Sequence, residues 1–126
     1  MGKVSKGTTQ EHFEAPGFEG HYGELDGYTI GFESYSAEQD LAPVFVGLPN
    51  DQCQSRHWGY VIRGKVGFKH DGTEEIFSAG DAYYVGPGHT PVFYPDTQVV
   101  EFSPADELAQ TMEVVSKNLE AAGATS

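Results

Sequence analysis

Residues 58–89, WGYVIRGKVGFKHDGTEEIFSAGDAYYVGPGH, decide the fold. Trp58 to Arg63 reads as a strand, Gly64 breaks it, and Lys65 to His70 continues extended. Asp71-Gly72 is the strongest hairpin signal, because both central residues of a type I′ turn need positive φ. Thr73 to Phe77 returns, Ser78-Ala79-Gly80-Asp81 turns again, and Ala82 to Val85 is a strand that ends at Gly86-Pro87-Gly88. Short strands bounded by turns this often predict a β-sandwich or barrel.

Downstream, Val92-Phe93-Tyr94 and Thr97 to Phe102 are strands split by Pro95-Asp96. The period then switches. Ser103 reads as a helix N-cap, Pro104 as the first helical position, and acids fill the first turn. Leu108, Met112, Val115 and Leu119 recur at helical spacing and give one apolar stripe, which Gly123 ends. Upstream, Tyr28, Ile30 and Phe32 alternate with Thr29, Gly31 and Glu33, which predicts a half-buried strand. Val44-Phe45-Val46 reads as a short strand, and Gly47 to Asn50 as a turn. Residues 1–20 are polar and without period. The expectation is an N-terminal arm over 1–20, a β-barrel over 21–103 and a C-terminal helix over 104–123 packed on the barrel. About eight strands in this length suit a double-sheet jelly roll, so the predicted class is all-β with one C-terminal α-helix.

Composition bounds the partners. The chain has 126 residues, enough for one domain with a true core. Its 7 basic and 19 acidic residues give a formal charge of −12. Nucleic acid and anionic membranes are excluded as expected partners, since both bind through positive charge. A single cysteine rules out an internal disulfide. The first residues hold two lysines with no apolar run behind them, so no signal peptide is predicted. No apolar run approaches a membrane span. The expected home is the reducing cytoplasm.

The run Asp51-Gln52-Cys53-Gln54-Ser55-Arg56-His57 carries the chemistry. Extended, it places Asp51, Cys53, Ser55 and His57 on one side, and Val61 continues that side. Trp58, Tyr60 and Ile62 face the other, where apolar packing is expected. Carboxylate, thiol and imidazole on one face suit a metal site, because thiolate and neutral imidazole bind zinc, copper and nickel well. Each residue also has a plainer reading. Cys53 alone is a small core hydrophobe. His57 alone is a hydrogen-bonded interior histidine, His89 a turn residue, and Asp51 part of a turn-rich stretch. His12, His21 and His70 read as surface residues, and no strained G-x-S-x-G turn supports a serine nucleophile.

Over residues 44–102 the chain resembles the cupin superfamily. The run from Ala79 to His89 and the run from Gly59 to Val66 are cupin-like. Anchoring the first cupin motif on Gly64 puts its Glu position at His57 and its His-x-His at Asp51-x-Cys53. Anchoring the second motif on Gly80 puts its His position on Pro91, with His89 two residues earlier at the same strand parity. The pattern resembles small bacterial cupins with Cys-x3-His and Pro-Gly-His in these places. The resemblance implies a cupin-type double-stranded β-helix, a jelly-roll barrel whose ligand set is Cys53, His57, His89 and Asp51. It implies a divalent transition metal, zinc first, with iron, nickel or copper as the others. It implies a small organic ligand in the barrel mouth against Tyr83 and Phe93, and a homodimer paired through sheet edges. Two functions follow: a metal-dependent enzyme acting on a small organic molecule, or a non-catalytic small-molecule-binding module without metal. In a third reading, as a regulatory partner module, the helix stripe is a docking face. Metal content and turnover discriminate among the three.

Overall fold

The computed structural model describes residues 1–122; Gly123, expected to end the helix, lies outside them. Among the described residues ten strands form two antiparallel sheets. They are β1 (Glu11–Ala15), β2 (Phe18–Leu25), β3 (Tyr28–Tyr35), β4 (Gln39–Asp40), β5 (His57–Arg63), β6 (Lys65–His70), β7 (Thr73–Ser78), β8 (Ala82–Val85), β9 (Thr90–Phe93) and β10 (Thr97–Pro104). The six-stranded sheet runs β1-β2-β3-β10-β5-β8, and the four-stranded sheet runs β4-β9-β6-β7. Helix α1 (Ala105–Ala121) follows.

The Asp71-Gly72 hairpin forms as its dipeptide dictates, with φ of 50° and 77° and His70 paired to Thr73. A second Asp-Gly turn joins β2 to β3 at Asp26-Gly27, with φ of 49° and 82°. At Gly64 the chain leaves one sheet for the other, with φ of 77°. Val61, Val66, Phe68, Phe93 and Val99 fill the space between the sheets with Tyr35 and Tyr83. A smaller cluster of Phe45, Cys53 and Val115 seats the helix against the segment before β5.

Several local expectations need correction. Residues 11–20 are not a loose arm: β1 and the start of β2 pair from Glu11↔Tyr22 to Ala15↔Phe18. Backbone pairing supplies this order, so it leaves no apolar period to read. Val44-Phe45-Val46 is no strand; Ala42–Phe45 is a 3₁₀ turn started by Pro43. The helix starts at Ala105, because β10 stays extended through Pro104. Met112 is exposed, and the buried helix positions are Thr111 and Val115. The stripe thus covers the protein's own barrel, not a free docking face.

The largest correction concerns the six-stranded sheet. Thr29, Gly31 and Glu33 line the lumen, while Tyr28, Ile30 and Phe32 lie on the opposite face of the strand, the reverse of the apolar-inside expectation, although Ile30 is buried there at 3%. The registers carry this inversion across the sheet: Gly31 pairs Glu101, Glu101 pairs Gly59, and Gly59 pairs Tyr83. Val4 rests on Gly23 and covers part of the outer face. The remainder is open, and Tyr28, Trp58, Tyr60, Ile62, Tyr84 and Phe102 keep between 36% and 50% of their surface accessible.

The corner at Gly64 has no room for a side chain. A Cβ there would lie 2.7 Å from the Asp96 carbonyl oxygen and 2.7 Å from Thr97 Cα. Gly64→Ala is expected to cost about 2–4 kcal/mol. At Gly72 the φ is equally positive but nothing lies within 4 Å, so Gly72→Ala is expected to cost about 1 kcal/mol. Urea-denaturation midpoints check the difference; equal shifts would remove the packing argument.

Candidate metal centre

Cys53 and His89 belong to different loops, and their backbones clasp. The Cys53 N–H donates to the His89 carbonyl at 2.8 Å, and the Gly88 N–H donates to the Cys53 carbonyl at 2.8 Å. Gly88 adopts a φ of 91°, a conformation that glycine alone takes without strain, and the turn carries His89 inward. His57 opens β5 two positions after the buried Ser55, so the alternation Cys53, Ser55, His57, Val61 holds on the inner side. Arg56 between them is tied to the first turn of α1. Its guanidinium donates to both Glu107 oxygens, at 2.6 Å from Nη2 and 3.2 Å from Nε, and its backbone N–H donates to the same carboxylate.

Three donors converge. Cys53 Sγ lies 3.5 Å from His57 Nε2. The ligating atoms of Cys53, His57 and His89 all fall within 4.8 Å of one another, and all three residues are buried. Each imidazole is held through its other nitrogen. His89 Nδ1 donates to the Gly86 carbonyl at 2.6 Å, which leaves Nε2 with a free lone pair. His57 Nδ1 faces Ser103 Oγ at 2.6 Å and Glu101 Oε1 at 3.3 Å, so the proton belongs on Nδ1. This is how metal-binding histidines are usually oriented. Burial lowers both histidines to about 4, which keeps them neutral. Burial pushes the Cys53 thiol up to about 11. The donor set of thiol and two neutral imidazoles fits a transition metal and leaves a coordination position open.

Asp51 does not join them. It sits exposed in a 3₁₀ turn at Pro49–Asp51, and its carboxylate accepts the Gly47 N–H at 2.9 Å. Pro49 bends the chain there and ends the parity that Cys53 to His57 obey. Ser103, expected as a helix cap, instead spends its hydroxyl on His57. Phe93 lines the cavity beside the cluster; Tyr83 is absent from that lining and lies in the core with its hydroxyl on Glu101. His70 is exposed as expected, while His12 and His21 stack at 4.2 Å beside Glu19 on the sheet surface.

Sequence reasoning missed two carboxyl groups in the lumen. Glu33 and Glu101 line a cavity of ≈ 1070 Å³ together with Cys53, His57 and His89. The Tyr22 hydroxyl donates to Glu33 at 2.6 Å, and the Tyr83 hydroxyl donates to Glu101 at 2.7 Å. Burial and the neighbouring Glu101 raise Glu33, and burial raises Glu101, so both stand well above the ordinary carboxylate range. The available signal was Glu33 and Glu101 on strands whose intervening partners, Gly31 and Gly59, carry no side chain.

These groups set opposing pH limits on the metal-free protein. The histidines, lowered from 6.5 to about 4, lose stability for the fold as pH falls from 6.5 through 4. The carboxyl pair is raised from 4.5, so its contribution is full below 4.5 and is lost as pH climbs through neutrality. Thermal midpoints in chelator are therefore expected to peak in the mildly acidic range. Glu33→Gln should flatten the alkaline limb; a midpoint still rising from pH 6 to 9 would contradict the assignment.

No protein-family model matches the chain, and no curated protein sequence matches it. Solved structures do. An RmlC-like cupin from Shewanella frigidimarina is 18% identical, covering 83% of this chain and 93% of its own, with a TM-score of 0.57. A protein of unknown function from Rhizobium leguminosarum is 17% identical, covering 82% and 94%, with a TM-score of 0.58. An ethanolamine utilization protein Q from Salmonella typhimurium is 14% identical, covering 70% of each chain, with a TM-score of 0.54. With two antiparallel sheets closed over a lumen and one C-terminal helix, the chain has the cupin fold.

Proposed function

We propose that this chain is a small metal-binding cupin and a metal-dependent enzyme acting on a small organic molecule held in the lumen. The convergence of Cys53, His57 and His89 within 4.8 Å carries the reading. Cys53 Sγ, His57 Nε2 and His89 Nε2 would hold the ion, zinc first, with iron, nickel or copper as the others. When bound, such an ion polarises an oxygen of the substrate or of water. The rest of the work falls to side chains. Ser103 and Gly86 orient the two imidazoles, Phe93 and Phe68 keep the inner wall dry, and Glu101 takes or gives a proton beside His57. A cytoplasmic, reducing setting keeps Cys53 available as a ligand.

One observation favours the alternative, a small-molecule-binding module without metal. Burial holds the Cys53 thiol up at about 11, a neutral group that pairs with His57 Nε2 at 3.5 Å, so these two side chains are compatible with a site without an ion. Metal content decides between them. Protein purified without chelator should hold about one metal per chain, and Cys53→Ala and His57→Ala should lose nearly all of it. Ser103→Ala should weaken metal affinity by roughly tenfold, while Lys69→Ala, a surface residue paired with Asp40, should leave it unchanged. Substoichiometric metal in the parent, or unchanged metal in both ligand variants, would leave only the binding module.

The homodimer belongs to the same proposal, with a changed surface. The open outer face around Trp58 and Tyr60, rather than the sheet edges, is the apolar area that a second copy covers best. Two acidic chains repel elsewhere, and a two-fold contact lets one apolar face meet its own copy. Light scattering should give twice the 13.7 kDa chain mass, and Tyr60→Glu should halve it. A parent protein at monomer mass would remove the dimer without touching the metal reading.

A further inference from the structure

The metal reading leaves the Glu33 side of the lumen without a role. Glu33 and Glu101 project inward from adjacent strands as diagonal neighbours, because Glu101 pairs Gly31 and Val99 pairs Glu33. The hydrogen bonds they receive from tyrosine, Tyr22 to Glu33 and Tyr83 to Glu101, come from neutral hydroxyls. No lysine or arginine lines the cavity among the described residues. Five of the seven basic side chains are engaged elsewhere: Arg56 with Glu107, Lys69 with Asp40, Lys6 with Glu19, Arg63 with the Asp96 carbonyl, and Lys65 over the Tyr94 ring. Glu33 therefore has no lysine or arginine in the lumen to balance it, and the histidines on the cavity, His12, His57 and His89, are turned to Glu14, Ser103 and the Gly86 carbonyl instead. Its nearest walls are aromatic, with Phe18, Tyr22, Tyr35 and Phe93 all on the same cavity.

A carboxyl without a counter-charge beside aromatic faces is complementary to one class of guest. An ammonium group offers several donors to carboxylate oxygens and is attracted by ring faces. An anionic guest would meet the inward carboxyl groups of Glu33 and Glu101 and no lysine or arginine. We infer that the lumen binds a small organic cation, its ammonium group hydrogen-bonded to Glu33 and its carbon chain lying against Phe18, Tyr35 and Phe93. This deepens the small-ligand reading above and rests on it for the lumen being the ligand site. It does not rest on the metal. The burial that raises Glu33 agrees with a group lacking its counter-ion.

Calorimetry with three probes of one chain length tests the inference: n-butylammonium, n-butanol and n-butyrate. Each is titrated at about pH 9, where Glu33, raised by burial to about 8, is ionised and the amine is still an ammonium, into the full chain as purified and again after chelation. Butylammonium is expected to bind at least about tenfold more tightly than butanol, with butyrate weakest, as a charge-assisted hydrogen bond requires. The preference should persist after chelation and shrink to within about twofold in Glu33→Gln. Tyr22→Phe, which removes a donor that favours the Glu33 carboxylate while keeping the ring, should narrow it, and serves if Glu33→Gln fails to fold. Butanol or butyrate binding as tightly as butylammonium would overturn the inference, as would an unchanged preference in Glu33→Gln or a widened one in Tyr22→Phe. Binding only before chelation would place the amine on the metal, sinking this inference and leaving the metal reading intact. Absence of binding by all three probes also overturns it, while metal content judges the metal reading separately.

Discussion

A carboxyl group on the inner face of a barrel must find donors, and Glu101 organises the six-stranded sheet around that need. It stands in a cross-strand row, Tyr22–Gly31–Glu101–Gly59–Tyr83, that spans five strands. The glycines are required by the tyrosines: a Cβ at Gly31 would meet the Tyr22 ring, and one at Gly59 would meet the Tyr83 ring. The rings fold over the gaps and restore packing where glycine leaves none. The Tyr83 hydroxyl then lands on Glu101 and the Tyr22 hydroxyl on Glu33. Glu101 also reaches His57, so the same row joins the barrel's polar lumen to the candidate metal donors.

That constraint explains which parts of the fold were legible. Binary patterning assumes that the apolar side of a strand is the buried side. It succeeds in β6 and β9, where Val66, Phe68 and Phe93 fill the core. It inverts β3 and misplaces the packing of β5, because their inner faces hold Glu33, Gly31 and Gly59 while Trp58, Tyr60 and Ile62 look outward. Turn chemistry was the safer guide. Asp71-Gly72 and Gly64 depend on local φ alone, so their reading survives whichever face is inside.

The candidate site was legible to the same degree and for a similar reason. Cys53 and His57 are four residues apart on one extended run, and parity places them together. Asp51 fails because it is itself the last residue of the 3₁₀ turn Pro49–Asp51, with a φ of 56°, and so lies outside that extended run. Ser103 was misread because its position before Pro104 fits a helix cap, whereas tertiary contact with His57 claims the hydroxyl. Glu33 and Glu101 are 68 positions apart in a sequence rich in acids. Only the pairing of β3 with β10 makes them neighbours.

The clasp between Cys53 and His89 has one more consequence. Cys53 is the only cysteine in the chain, the residue is 2% accessible, and burial keeps its thiol protonated at neutral pH. Thiol reagents attack the thiolate, so the closed protein offers them almost nothing. Reaction must wait until the loops carrying Cys53 and His89 separate. The rate at which this single sulfur is alkylated therefore measures how often this end of the barrel opens, a local breathing motion that global unfolding curves average away.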